Sequence, residues 1–347
     1  MTVYRLDPLT DARWDAFLQD HPQASVFHTS GWLNALSRTY GFVPIVITTS
    51  SPDSDLRNGL ACCSTSSWLS GRRLVSLPFS DHCAPLLDNA QTLHTFMDYL
   101  RQCVIHKEWA SVEVRLPDSS VPENSSSFET DKTFVFHKLT LGVSLDELFA
   151  GFHKDCIQRK LSRASREELA YEDGVSESLL NKFYDLVLLT RRRQGLPPQP
   201  VAWFRNLIAC LGDKVKIRLA SKNSNPIAGI LTLQYKKSLV YKYGCSDQTF
   251  SNLGGTQFLF WKAIQEAKST GLDEFDMGRS DWANAGLVVF KDRWGATRST
   301  LAHLRYPNRS HKIGWAARKI DIAKHVVPYI PDGWLAAAGR VLYKHMA

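Results

Sequence analysis

Several familiar devices are missing from this chain of 347 residues, and each absence narrows its class. No apolar run reaches the ~18 residues that a membrane-spanning helix needs, because Arg, Asp or His breaks every candidate. The opening MTVYRLDPLTDARW lacks the charged-then-apolar order of a secretory leader, so a cytoplasmic protein is expected. Seven cysteines are an odd number and none stands in a Cys-x-x-Cys pair. That argues against a disulfide framework or structural zinc, fits a reducing compartment, and leaves no metal site expected. Gly-x-Ser-x-Gly and His-Glu-x-x-His are also absent, which removes the hydrolase elbow and the zinc-protease helix.

What is present is ordinary in bulk and uneven in detail. Hydrophobic residues make up 44% and charged residues 22%, and the length suits two domains. The net charge of +8 is concentrated. Eight Lys/Arg stand against two Asp from Arg305 onward, a second cluster is Lys154, Arg159, Lys160, Arg163 and Arg166, and Arg191-Arg192-Arg193 makes a third. Such patches suit a polyanionic partner: RNA, a diphosphate-bearing substrate or an anionic membrane surface.

Periodicity predicts the same order of parts twice. In the first half a helix over 30–39 buries Trp32, Leu33 and Leu36, then strands follow over 43–48, 59–64 and 74–77. A helix over 92–104 carries Leu93, Phe96, Met97, Leu100 and Val104 on one face, and Val112, Val114 and Leu116 alternate in a strand. In the second half Leu180, Phe183 and Val187 mark a helix, another spans 201–211, and strands follow from Val215, Ile227 and Leu239. A helix over 256–268 and a strand over 274–277 close the repeat, which reads as a duplicated α/β unit with mixed sheets. The expected division is 1–142 and 143–305, with the Ser144-Leu-Asp-Glu147 capping box opening the second part. Ser- and Pro-rich 118–131 reads as a loop, and helices over 306–347, with Ile313, Ile320 and Val327 seven apart, are expected to complete the first domain.

Three stretches carry candidate chemistry. Ser251-Asn-Leu-Gly-Gly-Thr256 lies between a strand and a helix, where Gly254, Gly255 and Thr256 could present free N–H groups to a phosphate or simply start the helix. Asp81-His82-Cys83 contains a thiol beside an imidazole, but neighbours on an extended segment face opposite ways, so a pocket-wall role is favoured. Phe275-Asp-Met-Gly-Arg-Ser280 runs into Phe290-Lys291-Asp-Arg-Trp-Gly295 and places cations on glycine-flanked loops beside a strand end. There Asp276 serves as a base or orients Arg279, Arg279 and Arg293 offer guanidinium forks to a carboxylate or phosphate, and Lys291 can stabilise an oxyanion.

Taken in order, Ser30-Gly-Trp32, Leu74-Val-Ser-Leu-Pro-Phe79, Gln158-Arg-Lys-Leu-Ser-Arg-Ala164, Arg192-Arg-Gln-Gly-Leu-Pro197 and Phe275–Gly295 resemble the FemA/FemB/FemX-like and BioF2-like acyltransferases over roughly residues 25–305. The resemblance implies two tandem N-acetyltransferase-like (GNAT) domains and transfer of an aminoacyl or acyl group to an amine. The donor is aminoacyl-tRNA or acyl-CoA, with no permanently bound cofactor. By the same resemblance the Phe290 carbonyl accepts from the attacking amine and Lys291 holds the oxyanion, while Arg159 or Arg163 approaches substrate phosphates. Trp282 and Tyr243 are further substrate-contact candidates. A tRNA donor, an amine-bearing and phosphate-containing acceptor and an anionic membrane are the implied partners, with a substrate channel expected where the domains join. The alternative is a non-catalytic, membrane-peripheral assembly protein of an envelope polysaccharide system, anchored by its basic tail.

Overall fold

The computed structural model describes residues 2–67, 71–117, 128–307 and 332–345. The chain divides into two compact units. One comprises Met1–Val135, Ser299–His311 and Val341–Ala347, the other Phe136–Arg298 and Lys312–Arg340.

In the first unit β1 (Tyr4–Leu6), α1 (Ala12–Asp20), α2 (Ser30–Tyr40), β2 (Val43–Thr48), β3 (Leu60–Ser67), β4 (Gly71–Val75), α3 (Ala90–Ile105) and β5 (Ser111–Pro117) follow in order. Helix α2 begins where Thr29 accepts a hydrogen bond from the Trp32 N–H, and ends where Gly41 turns left-handed at φ 71°. Strands β2, β3 and β4 form an antiparallel meander. The crossover through α3 then returns the chain parallel to β4. Leu93, Phe96, Met97 and Leu100 of α3 pack with Leu74, Val112 and Val114, each such side chain contributing about 1.5–3 kcal/mol on burial. A later strand, β12 (Thr297–Tyr306), lies antiparallel to β5.

The second unit contains the latter half of β6 (Glu129–Thr140), α4 (Leu145–Gly151), a π-helical turn (Lys154–Gln158) leading into α5 (Arg159–Arg166), and β7 (Ala170–Gly174). Then come α6 (Glu177–Arg193), α7 (Val201–Leu211), β8 (Val215–Lys222), β9 (Asn225–Tyr235), β10 (Ser238–Ser246), α8 (Gly255–Ser269), β11 (Glu274–Ser280) and α9 (Ala285–Asp292). The strand order is β6-β11-β10-β9-β8-β7. Antiparallel pairing joins β8, β9 and β10, and β11 is parallel to β10 after the crossover through α8. The mixed α/β architecture and the order of helix, three antiparallel strands, helix and parallel strand thus occur twice, as the periodicity implied.

The two parallel ladders match in detail. In the first unit Arg73, Leu74 and Val75 pair with Ser111, Val112 and Glu113. In the second, Ser238, Leu239 and Val240 pair with Glu274, Phe275 and Asp276. Each ladder ends on an acid at its third pair. Burial alone would raise the Glu113 carboxyl, but Arg115, His303 and Arg305 outweigh it and hold the group at about 2. A depressed carboxyl stabilises the fold above its ordinary value near 4.5, and that contribution fades as pH falls toward 2. Urea titrations at pH 7 and pH 3 are therefore expected to show a smaller loss of stability in Glu113→Gln than in the natural protein. Equal losses would contradict the assignment.

Some expectations change. Residues 285–292 are helix α9, not loop, because Asn284 caps the turn by accepting from the Leu287 N–H at 3.2 Å. Glu129–Asp131, read as loop, open strand β6. Strands β1, β7 and β12 and helix α1 carry too little alternation or apolar spacing to stand out. Ile313, Ile320 and Val327 lie outside the described residues, and the described part of the tail is α10 (Asp332–His345).

Candidate functional site

The second unit holds a cavity at the open end of its parallel ladder. Strands β10 and β11 are bonded only as far as Val240 and Asp276, yet they continue to Ser246 and Ser280. Strand β10 also shifts register against β9 between Tyr241 and Tyr243, and a bulge bends a strand and adds twist. Beyond it lies a cavity of about 320 Å³, lined by Tyr241, Gly244, Cys245 and Ser246 of β10 and by Ile227 and Ala228 of β9. The end of α6 adds Thr190, Arg193 and Gln194, the start of α8 adds Gly255, Thr256 and Gln257, and α9 adds Leu287 and Phe290.

Each wall is fixed by identifiable bonds. The Thr190 hydroxyl accepts from the Ser246 N–H at 2.9 Å, and Arg193 donates to the Ser246 carbonyl at 3.2 Å, lacing α6 to β10. Gly254 precedes α8 with φ 78°, and a Cβ there would lie 2.5 Å from the Lys160 carbonyl of α5. The Lys160 ammonium donates to the Ser251 and Asn252 carbonyls at 3.1 and 3.0 Å, so α5 clasps the loop that leads into α8. This leaves the partly positive start of a fifteen-residue helix on the cavity wall. Gly254→Ala is expected to cost about 1–3 kcal/mol from backbone strain alone, measurable by thermal or urea unfolding. Unchanged stability would show that α5 yields freely.

Helix α9 is tied down by consecutive residues. Lys291 is only 1% exposed, and its ammonium donates to the Gly278 and Arg279 carbonyls at 2.9 and 3.1 Å. Asp292 meets His137 Nε2 at 3.1 Å and accepts from Arg298 Nε at 2.6 Å. Burial lowers the His137 pKa, Asp292 opposes that shift and Lys291 adds to it. The helix then tightens: the Trp294 N–H bonds to the Lys291 carbonyl at 3.2 Å, not to that of Phe290. The Phe290 carbonyl is thereby left without its ordinary α-helical donor, and it belongs to a residue on the cavity wall.

The other sequence candidates fall in several places. Phe290, Gly255 and Thr256 reach the cavity lining. Gly254 stands just behind it, under α5. Asp276 is buried on β11 and accepts from the Gly278 N–H at 2.7 Å. Arg279 supplies a carbonyl to Lys291, and Arg293 supplies one to the His153 N–H at 2.8 Å. Trp282 is 51% exposed between β11 and α9. Tyr243 is not in the lining: its hydroxyl accepts from Trp203 Nε1 at 2.8 Å and its ring packs edge-on against Phe204. Arg159 and Arg163 lie on the exposed face of α5, paired with Asp155 and Glu167. Thr190, Arg193 and Ser246 were missed, and the triple arginine was their only advance signal.

Nucleophilic thiol chemistry has no support. Cys83 is fully buried, and burial pushes its thiol up to about 12. His28 Nε2 lies 3.5 Å from its sulfur. Burial also lowers His28 to about 4. Cys245 on the cavity wall is likewise raised by burial, and no histidine is among the lining residues. Among the described residues no His/Cys/Asp/Glu group is arranged to hold a metal, and no helix is long and apolar enough to cross a membrane.

Residues 153–291 match a family described as an acetyltransferase (GNAT) domain. That span holds the whole cavity wall and Lys291. The fold of the chain is similar to that of FemX, with a TM-score of 0.67 at 13% identity over 87% of this chain and 97% of FemX. It is also similar to L-PGS from Bacillus licheniformis, with a TM-score of 0.56 at 14% identity over 92% and 97%. A conserved protein from Bacteroides thetaiotaomicron gives 0.54 at 11% identity over 88% and 99%. At these identities the likeness is one of fold. No curated protein sequence matches the chain.

Proposed function

We propose that this chain is a GNAT-type acyltransferase that transfers an aminoacyl or acyl group to an amine in the cavity between β10, α8 and α9. The observation that carries this reading is Phe290, a residue of the cavity wall whose carbonyl lacks its helical donor and which is followed by a buried lysine. An amine entering the cavity donates an N–H to that carbonyl, which turns its lone pair toward the acyl carbon. The new N–C bond forms first and gives a tetrahedral oxyanion, whose collapse breaks the ester C–O or thioester C–S bond. The amine proton finishes on the departing ribose oxygen or sulfur, through Phe290 or water. Lys291 supplies positive charge at the end of β11, where little water screens it, and favours the transient oxyanion. The raised thiol of Cys245 and the lack of a lining histidine favour direct attack over an acyl-enzyme.

We assign the donor to aminoacyl-tRNA or acyl-CoA. The start of α8 suits an anionic donor group. The exposed Arg159, Arg163 and Arg166 of α5 suit a polyphosphate chain or nucleic acid. The resemblance of the chain's motifs to the FemA/FemB/FemX-like enzymes is what favours a cell-envelope setting and a phosphate-containing acceptor. The assembly-protein alternative rests on tail residues that, Trp334 apart, lie outside the described ones, and nothing in the site favours it. Thermal shift with coenzyme A and with charged tRNA, followed by transfer assays on amines with the donor that binds, tests the reading. A panel of both donors without binding or transfer would contradict it.

A further inference from the structure

The first unit carries a charge cluster that acyl transfer does not use. Leu74, Val112, Val114, Ala302 and Leu304 turn one sheet face toward α3. The alternate residues Arg73, Glu113, Arg115, His303 and Arg305 share the opposite face. Arg115 is fully engaged: it donates to Glu113 at 3.0 Å, to the Leu77 carbonyl at 2.7 Å and to the Ser80 carbonyl at 3.3 Å. His303 Nδ1 lies 3.5 Å from the same Glu113 oxygen. Arg305 is held more loosely, 4.0 Å from Glu113 and 3.5 Å from Asp131 of β6. Arg73, Arg115 and Arg305 thus share this face with Glu113, and Asp131 stands at the Arg305 side.

Two donors on this face have no acceptor. Arg73 Nε and Arg305 Nε are both enclosed and both lack a hydrogen-bond partner. A buried donor without an acceptor is costly, and more so when it is charged. We propose that this face is a binding site for a small oxyanion, a phosphate or carboxylate group, gripped by Arg73 and Arg305. The arginines stand on the two strands that flank β5, opposite Ser111 and Glu113. The two strands are two spacings, about 9.6 Å, apart, a gap that two long side chains can close on one anion. A planar guanidinium offers Nε–H and Nη–H side by side, which matches two oxygens of one such group. Neither arginine is sealed off: Arg73 is partly exposed, and the Arg305 side chain is 24% exposed. Burial and the neighbouring Arg305 and Arg115 lower the Arg73 pKa against the pull of Glu113, consistent with a guanidinium short of negative charge.

The test needs no acyl donor, so its failure is separate from failure of the transferase reading. The whole protein is titrated with inorganic phosphate, pyrophosphate and acetate, against sodium chloride of equal ionic strength, by calorimetry and thermal shift. Saturable stabilisation by at least one oxyanion is expected, with phosphate over acetate marking a phosphate site and the reverse a carboxylate site. Arg73→Gln and Arg305→Gln are each expected to weaken it at least about tenfold, one charge-assisted pair being worth about 1.4 kcal/mol or more. Arg73→Lys, which keeps the charge without Nε, is expected to recover only part of the affinity. Arg57→Gln, at an exposed residue elsewhere in the unit, is expected to bind normally. Responses equal to chloride, or undiminished in folded Arg73→Gln and Arg305→Gln proteins, would overturn the proposal.

Discussion

Replacing Lys291 with methionine is expected to lower turnover about 10²–10³-fold, the usual effect of removing one oxyanion-stabilising group. The same change leaves the Gly278 and Arg279 carbonyls without their lysine donor in a buried setting. A further stability loss of about 1–3 kcal/mol is expected from that. The two effects separate experimentally. If lysine acts only as a strut, the folded fraction of Lys291→Met will turn over normally once unfolding is corrected for. If its charge acts on the transition state, kcat will fall while the binding of donor changes little. Full activity per folded molecule would remove Lys291 from the chemistry.

Trp294→Ala is expected to be the most destabilising single change in the second unit. The indole is fully buried, stacked on Phe260 with ring centres 5.3 Å apart and edge-on to Phe152 at 4.9 Å. Removing such a group usually costs about 3–5 kcal/mol, from lost burial and the cavity left behind. The indole also packs edge-on to Phe290, with ring centres 6.3 Å apart, so activity should fall in whatever protein remains folded. Urea unfolding with a loss under about 1 kcal/mol would mean that the aromatic cluster collapses into the space, against the close packing described.

Much of this architecture was legible in the sequence because one-sided burial leaves a period. The apolar spacing of α3 and the alternation of Val112, Val114 and Leu116 each point to an element that buries a single face. The doubling of the pattern then carried the fold class. Strand β7, with one half-buried aromatic among mostly exposed residues, has no such rhythm to read. Helix α9 was misread for a different reason. Its glycine and its lysine look like loop chemistry, whereas Lys291 is buried by bonds to two carbonyls that only the folded chain brings near.

The site was legible in part. Phe290, Gly255 and Thr256 could be named from motifs near a strand end and a helix start. Thr190 and Arg193 could not, because their place depends on where α6 ends against Ser246, more than fifty positions later. Tyr243 shows the converse. It lies on the correct strand, but a register shift just before it turns the ring to Phe204 and the hydroxyl to Trp203.

The central claim is that the acyl carbonyl is attacked in the β10–α8–α9 cavity. A crystal structure with an unreactive donor, either an acyl-CoA thioether or an amide-linked aminoacyl-adenosine, tests this most directly. The account predicts the acyl group beside Phe290, with the carbon to be attacked about 3–3.5 Å from an amine placed on the Phe290 carbonyl. It also predicts the donor's charged portion near the start of α8. Well-defined donor density elsewhere in the protein, with this cavity empty, would contradict it.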